Sequence, residues 1–293
     1  VTVLQQPLDK PYLVSTSVMD LVRQIDAMSD IRLSGTKEDG WYVEEAREAM
    51  EEGDILYAGK YSAPDYELIL DEGCNLAIEN TMIYHNPEVK EKLEELGIPV
   101  LVERSSYESH PLGRLEWIRL YGVLFDKEEE ADSFYETELE KLEPIMKKES
   151  CNVTVAYFSV TANGTSRVRK SNDYVAQMIA LSVGTYVPEQ LAGEEENALS
   201  TMNIQMEDFY ADAKNADILI YNSTIEGEIS TLEELKQKNA LFADFQAVQD
   251  GNVYCTTNNF FQKSTAIGDF MEDLNKIFQN TDTEEAGYLK KLR

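Results

Sequence analysis

Histidine and cysteine are nearly absent from this chain. Its 293 residues include only His85 and His110, and three widely spaced cysteines, Cys74, Cys151 and Cys255. An odd, scattered cysteine count excludes a disulfide framework and a zinc knuckle, and buried thiols are the expectation for all three. So few imidazoles and thiols leave a zinc or manganese site without a ligand set, so no resident metal and no cofactor is expected. No DxDxDG loop offers calcium an EF-type site. The chain also lacks a GxxxxGK[ST] loop, a GxGxxG after the first strand and a GxSxG elbow, which removes the usual signatures of P-loop, dinucleotide and serine-hydrolase chemistry. No catalytic residue is assigned.

Apolar runs stay too short to span a bilayer. Basic residues are scarce: 26 Lys and Arg against 55 Asp and Glu give 26 − 55 = −29. Such a surface repels nucleic acid and anionic lipid. The chain opens at Val1 with no Met, no charged n-region and no h-region. Two readings follow, a trimmed cytosolic protein or one whose export signal has been removed.

Hydrophobic residues make up 43%, with 16 Tyr and 10 Phe, enough apolar material for two cores at this length. Short β-branched runs alternate with amphipathic segments. Strands are expected at 11–18, 30–35, 54–59, 75–80 and 98–103. Helices are expected at 18–28, at 43–53 with a Gly stop, and at 87–97 with Pro at the first turn and Gly beyond the end. Such alternation means a parallel sheet with helices on its faces. Two consecutive helices follow, 113–125 and 127–143. Ala131, Tyr135, Leu139, Leu142 and Met146 form one stripe of the second, which Pro144 should kink or end. No Gly/Ser linker separates the halves, so this helix is expected to be the only joint.

The alternation then restarts. A strand is expected at 152–160, a hairpin at Asn163-Gly164, and a helix at 173–184 with a Gly stop. Helix and strand follow over 206–222, then a strand at 252–259 and a last helix at 267–278. The tail after Asn280 reads as polar and frayed. Glu67, Asn75 and Ile78 recur as Glu207, Asn215 and Ile218, each 140 residues on. Both segments run Glu, amphipathic helix, Asn, apolar strand, which suggests two lobes of similar plan.

The segments APDYELILDEGCNLAI, LEELGIPVLV and NDYVAQMIALSVGTYV carry a resemblance. The first is similar to the Pro-Asn-x-Glu-x-Ile-(small)-x-x-x-Pro-Asp-Leu-Val-Ile segment of the binding proteins that serve bacterial ABC importers of ferric siderophores, haem and cobalamin. Asp65 replaces the usual Asn, Asn75 the usual Asp, and Cys74 stands where Pro is common. Ser-Val-Gly at 182–184 replaces the usual Ala-Gly-Gly. The resemblance covers residues 10 to 280. It implies an α/β fold of two Rossmann-like lobes joined by one long α-helix, with a ligand cleft between the lobes. The implied boundaries are 1–112 for the N-terminal lobe, 113–149 for the helical connection and 150–293 for the C-terminal lobe.

The resemblance also implies roles. Glu67 and Glu207 match the surface glutamates that dock into arginine pockets of the membrane permease. Without the resemblance, each is simply an acid placed well at a helix N-terminus. Ligands of open α/β sheets lie beyond the carboxyl ends of strands, which singles out Trp41, Tyr42, Tyr84, Tyr107 and His110 in the first lobe. In the second they are Arg167, Arg169, Lys170, Tyr221, Asn222, Phe260 and Phe261. The cations of SRVRK would take an anionic chelate, or else protect an edge strand. One ring of each aromatic pair, Trp41-Tyr42 and Phe260-Phe261, is expected in the core, leaving the other to stack on a flat ligand.

The expected function is that of an extracytoplasmic, non-enzymatic solute-binding protein. It would be a monomer that delivers an iron chelate, haem or a corrinoid to an ABC permease. A lipoprotein or secretory signal would precede Val1. The alternatives are a cytosolic enzyme or cofactor-handling protein on a similar two-lobed frame, and a sensor that binds the same ligand.

Overall fold

The computed structural model describes residues 3–188, 201–280 and 287–293. The chain forms two compact units. Unit 1 comprises Val1–Ser106, Gly113–Thr137 and Gln262–Thr265, and unit 2 comprises Tyr107–Leu112, Glu138–Phe261 and Ala266–Arg293.

In unit 1 the order is β1 (Pro11–Leu13), α1 (Thr16–Gln24), β2 (Leu33–Ser34), α2 (Glu44–Glu52), β3 (Leu56–Tyr57), a small hairpin of β4 (Gly59–Lys60) and β5 (Ala63–Pro64), α3 (Tyr66–Asp71), β6 (Leu76–Glu79), α4 (Pro87–Glu95) and β7 (Val100–Val102). The strands pair in the order β3-β2-β1-β6-β7, all parallel. This is the Rossmann-type order, and its reversal point lies between β1 and β6. Tyr12, Leu33, Ala77, Ile69, Val89 and Leu93 fill one face of the sheet. The strand expected at 11–18 is shorter, because Thr16 already begins α1.

Helix α5 (Pro111–Phe125) is followed by α6 (Glu128–Met146), with Asp126 at φ 57° between them. The division between units falls inside α6, after Thr137. The expectation that this helix is the only joint is corrected: the chain also crosses between units around 107–112 and 262–265. Pro144 does not end the helix, which continues to Met146. Pro144 lies in the last turn on an exposed face, where the carbonyl it leaves unbonded faces water.

Unit 2 holds β8 (Thr154–Val160), β9 (Ser166–Arg169), α7 (Tyr174–Leu181), β10 (Thr185–Val187), β11 (Thr201–Ile204), α8 (Met206–Ala213), β12 (Ile218–Tyr221), α9 (Leu232–Lys238), α10 (Gln246–Gln249), β13 (Val253–Thr256), α11 (Ile267–Phe278) and β14 (Leu289–Lys291). Strands β10, β8, β12 and β13 are parallel neighbours, while β9, β11 and β14 pair antiparallel. One face is packed by α7, α11 and the end of α6. The other is packed by α8 and by Phe242, Phe245 and Val248.

Several expectations change here. The part of the tail at 281–286 lies outside the described residues. Beyond it the chain is not frayed: Leu289 and Leu292 are buried, and β14 extends the sheet beside β13. β9 is not an edge strand, because β11 covers it. The Asn163-Gly164 hairpin is present, with Gly164 at φ 79°. The helix stop at 184 works differently. Val183, not Gly184, takes the left-handed conformation, at φ 71°. Gly184 is needed for space, since a Cβ there would lie 2.6 Å from the Phe278 ring.

The repeat is also looser than its numbering. Glu67 and Glu207 are each the second residue of their helices, α3 and α8. The strands that follow start at Leu76 and Ile218, which is 218 − 76 = 142 residues apart. The longer α8 absorbs the extra two residues, so Ile78 and Ile218 are not equivalent strand positions.

Candidate functional site

Because the five strands of its main sheet are all parallel, unit 1 gathers their carboxyl ends on one edge. That edge is lined by three tyrosines and a methionine left in solvent. Tyr42 follows β2, Tyr57 ends β3, and Met82 and Tyr84 lie on the 3-10 turn Thr81–His85 after β6. Each of these four is 39–47% exposed, an unusual grouping for large apolar groups on a soluble surface. Two cations stand over them. The Lys37 ammonium is 5.7 Å from the Tyr57 ring centre and the Arg104 guanidinium 5.6 Å from that of Tyr84. Nε and a terminal nitrogen of Arg104 also donate to the Tyr84 phenolic oxygen, at 3.0 and 2.5 Å.

The loops that carry these rings are fixed from below. Gln262 is buried. Its Oε1 accepts from the Tyr42 N–H at 2.7 Å and its Nε2 donates to the Gly40 carbonyl at 2.8 Å. Trp41, the other half of the first aromatic pair, is buried and donates its indole N–H to Ser34 Oγ at 3.2 Å. Tyr42 is therefore the outward member. At the β4–β5 hairpin, Gly59 takes φ 85°, and its carbonyl accepts from the buried Tyr12 hydroxyl at 2.7 Å. Asn80 Oδ1 caps the 3-10 turn by accepting from the Met82 N–H at 2.9 Å.

The reversal point itself is occupied. The start of α1 is where an open sheet of this order holds phosphate. Here the buried carboxylate of Glu103 lies against it. Its Oε2 accepts from Ser15 and Ser17 at 3.2 and 3.3 Å, and its Oε1 accepts from the Ser105 N–H. An internal carboxyl group thus fills the place of a bound anion.

Unit 2 presents a different edge. After β12, Asn222 Oδ1 accepts from the Thr224 hydroxyl at 2.6 Å. Ser223 and Thr256 share a 3.0 Å hydroxyl contact. Phe260 stacks on Phe270 with centroids 4.3 Å apart, while Phe261 remains 39% exposed. The second aromatic pair therefore also divides into one core ring and one outer ring. Tyr107 is exposed, as is His110, whose Nδ1 accepts from the Leu112 N–H at 3.3 Å at the start of α5.

Two candidates, Tyr221 and Arg169, are corrected. Tyr221 is fully buried, edge-on to Phe158 at 5.8 Å, because the last position of β12 points into the core. Arg169 is not a rim cation. It lies along β9 opposite the middle of β8, with its guanidinium 5.9 Å from the Tyr157 ring, 5.6 Å from the Tyr174 ring and 3.5 Å from the Asp173 carboxylate. Arg167, on the same strand, donates to Asn203 on β11 at 3.2 Å. Its partner is thus on the neighbouring strand. Lys170, beyond the strand's end, is half-buried. Glu67 and Glu207 are both exposed.

Sequence reading missed Tyr57 and Arg104. Tyr57 reads as the middle of a strand that in fact stops there. Arg104 is flanked by Glu103, which hides it among the chain's many acids. Among the described residues no group of three or more His, Cys, Asp or Glu side chains is placed to hold a metal ion, and no helix is long and apolar enough to cross a membrane.

No family model matches the chain. Two uncharacterized lipoproteins of Methanocaldococcus jannaschii are similar to it. They are 26% and 28% identical over 89% and 73% of this chain, which spans 62% and 55% of their own lengths. Solved structures match along nearly the whole chain. A periplasmic haem-binding protein from Pseudomonas aeruginosa superposes with a TM-score of 0.71 at 13% identity, covering 97% of this chain and 98% of that one. The periplasmic vitamin B12-binding protein of Vibrio cholerae gives 0.64 at 11% identity, covering 95% and 99%. An ABC-type Fe3+-hydroxamate transport protein from Saccharomonospora viridis gives 0.67 at 15%, covering 93% of each. The chain has the fold of these substrate-binding proteins.

Proposed function

We propose that this chain is an extracytoplasmic substrate-binding protein of an ABC importer, and that it captures a ring-bearing metal chelate or tetrapyrrole and passes it to a permease. The observation that carries this reading is the exposed row of Tyr42, Tyr57, Met82 and Tyr84 along the carboxyl edge of the unit 1 sheet. Flat, conjugated ligands stack on such rings, and Lys37 and Arg104 add positive charge for an anionic chelate. In a chain of net charge −29, cations at that edge are a local exception. The relatives named as lipoproteins, the two periplasmic binding proteins for haem and vitamin B12 and the Fe3+-hydroxamate transport protein support the same reading. Of the enzymes that the alternative reading allows, those binding phosphate at the start of α1 are disfavoured by Glu103, which occupies that position.

Glu67 and Glu207 are the proposed contacts to the permease. Both are exposed carboxylates in the first turn of their helices, one on each unit. Charges placed at fixed points of a surface select a partner by position more than by strength. The test is a titration of intrinsic fluorescence with ferric hydroxamate, haem and cobalamin. Saturable binding of at least one supports the proposal. Binding of none, with turnover of a small metabolite instead, overturns it.

A further inference from the structure

Glu79 ends β6 and is completely buried. Neither of its carboxyl oxygens has a hydrogen-bond partner, and among the described residues no cation pairs with it. A charged carboxylate in such a place is strongly disfavoured, whereas the neutral acid is tolerated. The groups facing it do not change this. Tyr12 on β1 and Tyr66 on α3 are its titratable neighbours, and Tyr57, Cys74 and Glu88 lie beside those two. The Tyr12 hydroxyl is committed to the Gly59 carbonyl. Just beyond β7, Glu103 donates its N–H to the Glu79 carbonyl, but its carboxylate is taken by serines. Every one of these groups is neutral or acidic, so none would stabilise a negative charge at Glu79.

Position gives this acid a consequence. Asn80 follows it directly and caps the 3-10 turn that carries Met82 and Tyr84. We propose that Glu79 is carried as a neutral carboxylic acid and acts as a pH switch, so that loss of its proton to solvent loosens the end of β6 and the turn Thr81–His85. The inference concerns the chain itself and needs no ligand.

The sign follows from linkage. Burial pushes the Glu79 carboxyl from 4.5 up to about 8. The folded chain therefore holds this proton more tightly than the unfolded chain does. The resulting stability is fully present below about pH 4.5 and is lost as pH rises towards and through about 8. Between those limits each pH unit raises the unfolding constant by up to about tenfold.

The test compares urea unfolding of the wild-type chain and Glu79→Gln from pH 5 to 9.5. The ratio of their unfolding constants should change by about tenfold or more across that range, with the variant gaining as pH rises. Parallel profiles overturn the proposal. Hydrogen exchange adds the local readout, with each pH comparing both proteins directly. The ratio of wild-type to variant exchange rates at residues 80–86 should be larger at pH 9 than at pH 5, and an unchanged ratio overturns the coupling to the turn. If Glu79→Gln does not fold, Glu79→Met serves in its place. Infrared difference spectra of the wild type need no variant. Loss of a protonated-carboxyl band between pH 6 and 9.5 is expected, and no such band at pH 6 contradicts the proposal.

Discussion

Arg104 donates twice to the phenolic oxygen of Tyr84 while its guanidinium lies 5.6 Å from the same ring. The pair is preorganised: a cation and an exposed aromatic surface are held together before any ligand arrives. Arg104→Met keeps the stem but removes the charge and both donors. We expect it to weaken binding of an anionic chelate by about tenfold, roughly the 1.4 kcal/mol of one charge-assisted contact, and to leave a neutral corrinoid nearly unaffected. Calorimetric titration of both ligand types checks this. Equal losses for both would show that Arg104 acts by packing.

Arg169 makes the opposite case. Its charge is answered by Asp173, and two tyrosine rings flank it. Arg169→Gln should therefore lower stability, by about 2–4 kcal/mol, since the buried Asp173 carboxylate loses its cation. Ligand affinity should stay within about twofold. Denaturant unfolding alongside ligand titration separates the two effects, and lost affinity at unchanged stability would return Arg169 to the binding surface.

Gly184 is packed so closely on Phe278 that a methyl group cannot be added without moving a buried ring. We expect Gly184→Ala to cost about 1–3 kcal/mol by overpacking. Thermal unfolding would reveal it as a drop of several degrees, and an unchanged midpoint would mean that α11 shifts freely.

Burial pushes the Cys255 thiol up to about 11, so it carries almost no thiolate near neutrality. In native protein at pH 8 a thiol reagent should leave Cys255 unmodified, and denaturant should expose it. Mass spectrometry of the labelled peptides reads the outcome directly, and rapid native labelling at Cys255 would contradict the burial described for β13.

Much of the α/β plan was legible because helices and strands impose periods of 3.6 and 2 on apolar residues. The alternation from β1 to β7, the restart at β8 and the Asn163-Gly164 hairpin all carry such signals. The outward member of each aromatic pair was not, since Trp41 and Tyr42 differ only in which one the loop turns inward, and that depends on Ser34 at the end of β2 and on Gln262, 220 residues from Tyr42. The same limit explains Arg169 and Tyr221. Local sequence places both near strand ends, but the pairing of β9 with β8 and the inward pleat of β12 decide where their side chains go. Buried acids such as Glu79 and Glu103 were hidden among 55 carboxylates, because nothing in residue type separates a solvated acid from an enclosed one.

Calorimetric titration of the wild-type chain and a Tyr42→Ala, Tyr84→Ala double variant, using whichever of ferric hydroxamate, haem or cobalamin binds, tests the central claim most directly. We predict one saturable site in the wild type and at least tenfold weaker binding in the variant, with the two proteins equally stable. Identical affinity in both proteins would contradict the assignment of the ligand to this aromatic edge, and the absence of any saturable ligand would contradict the binding function itself.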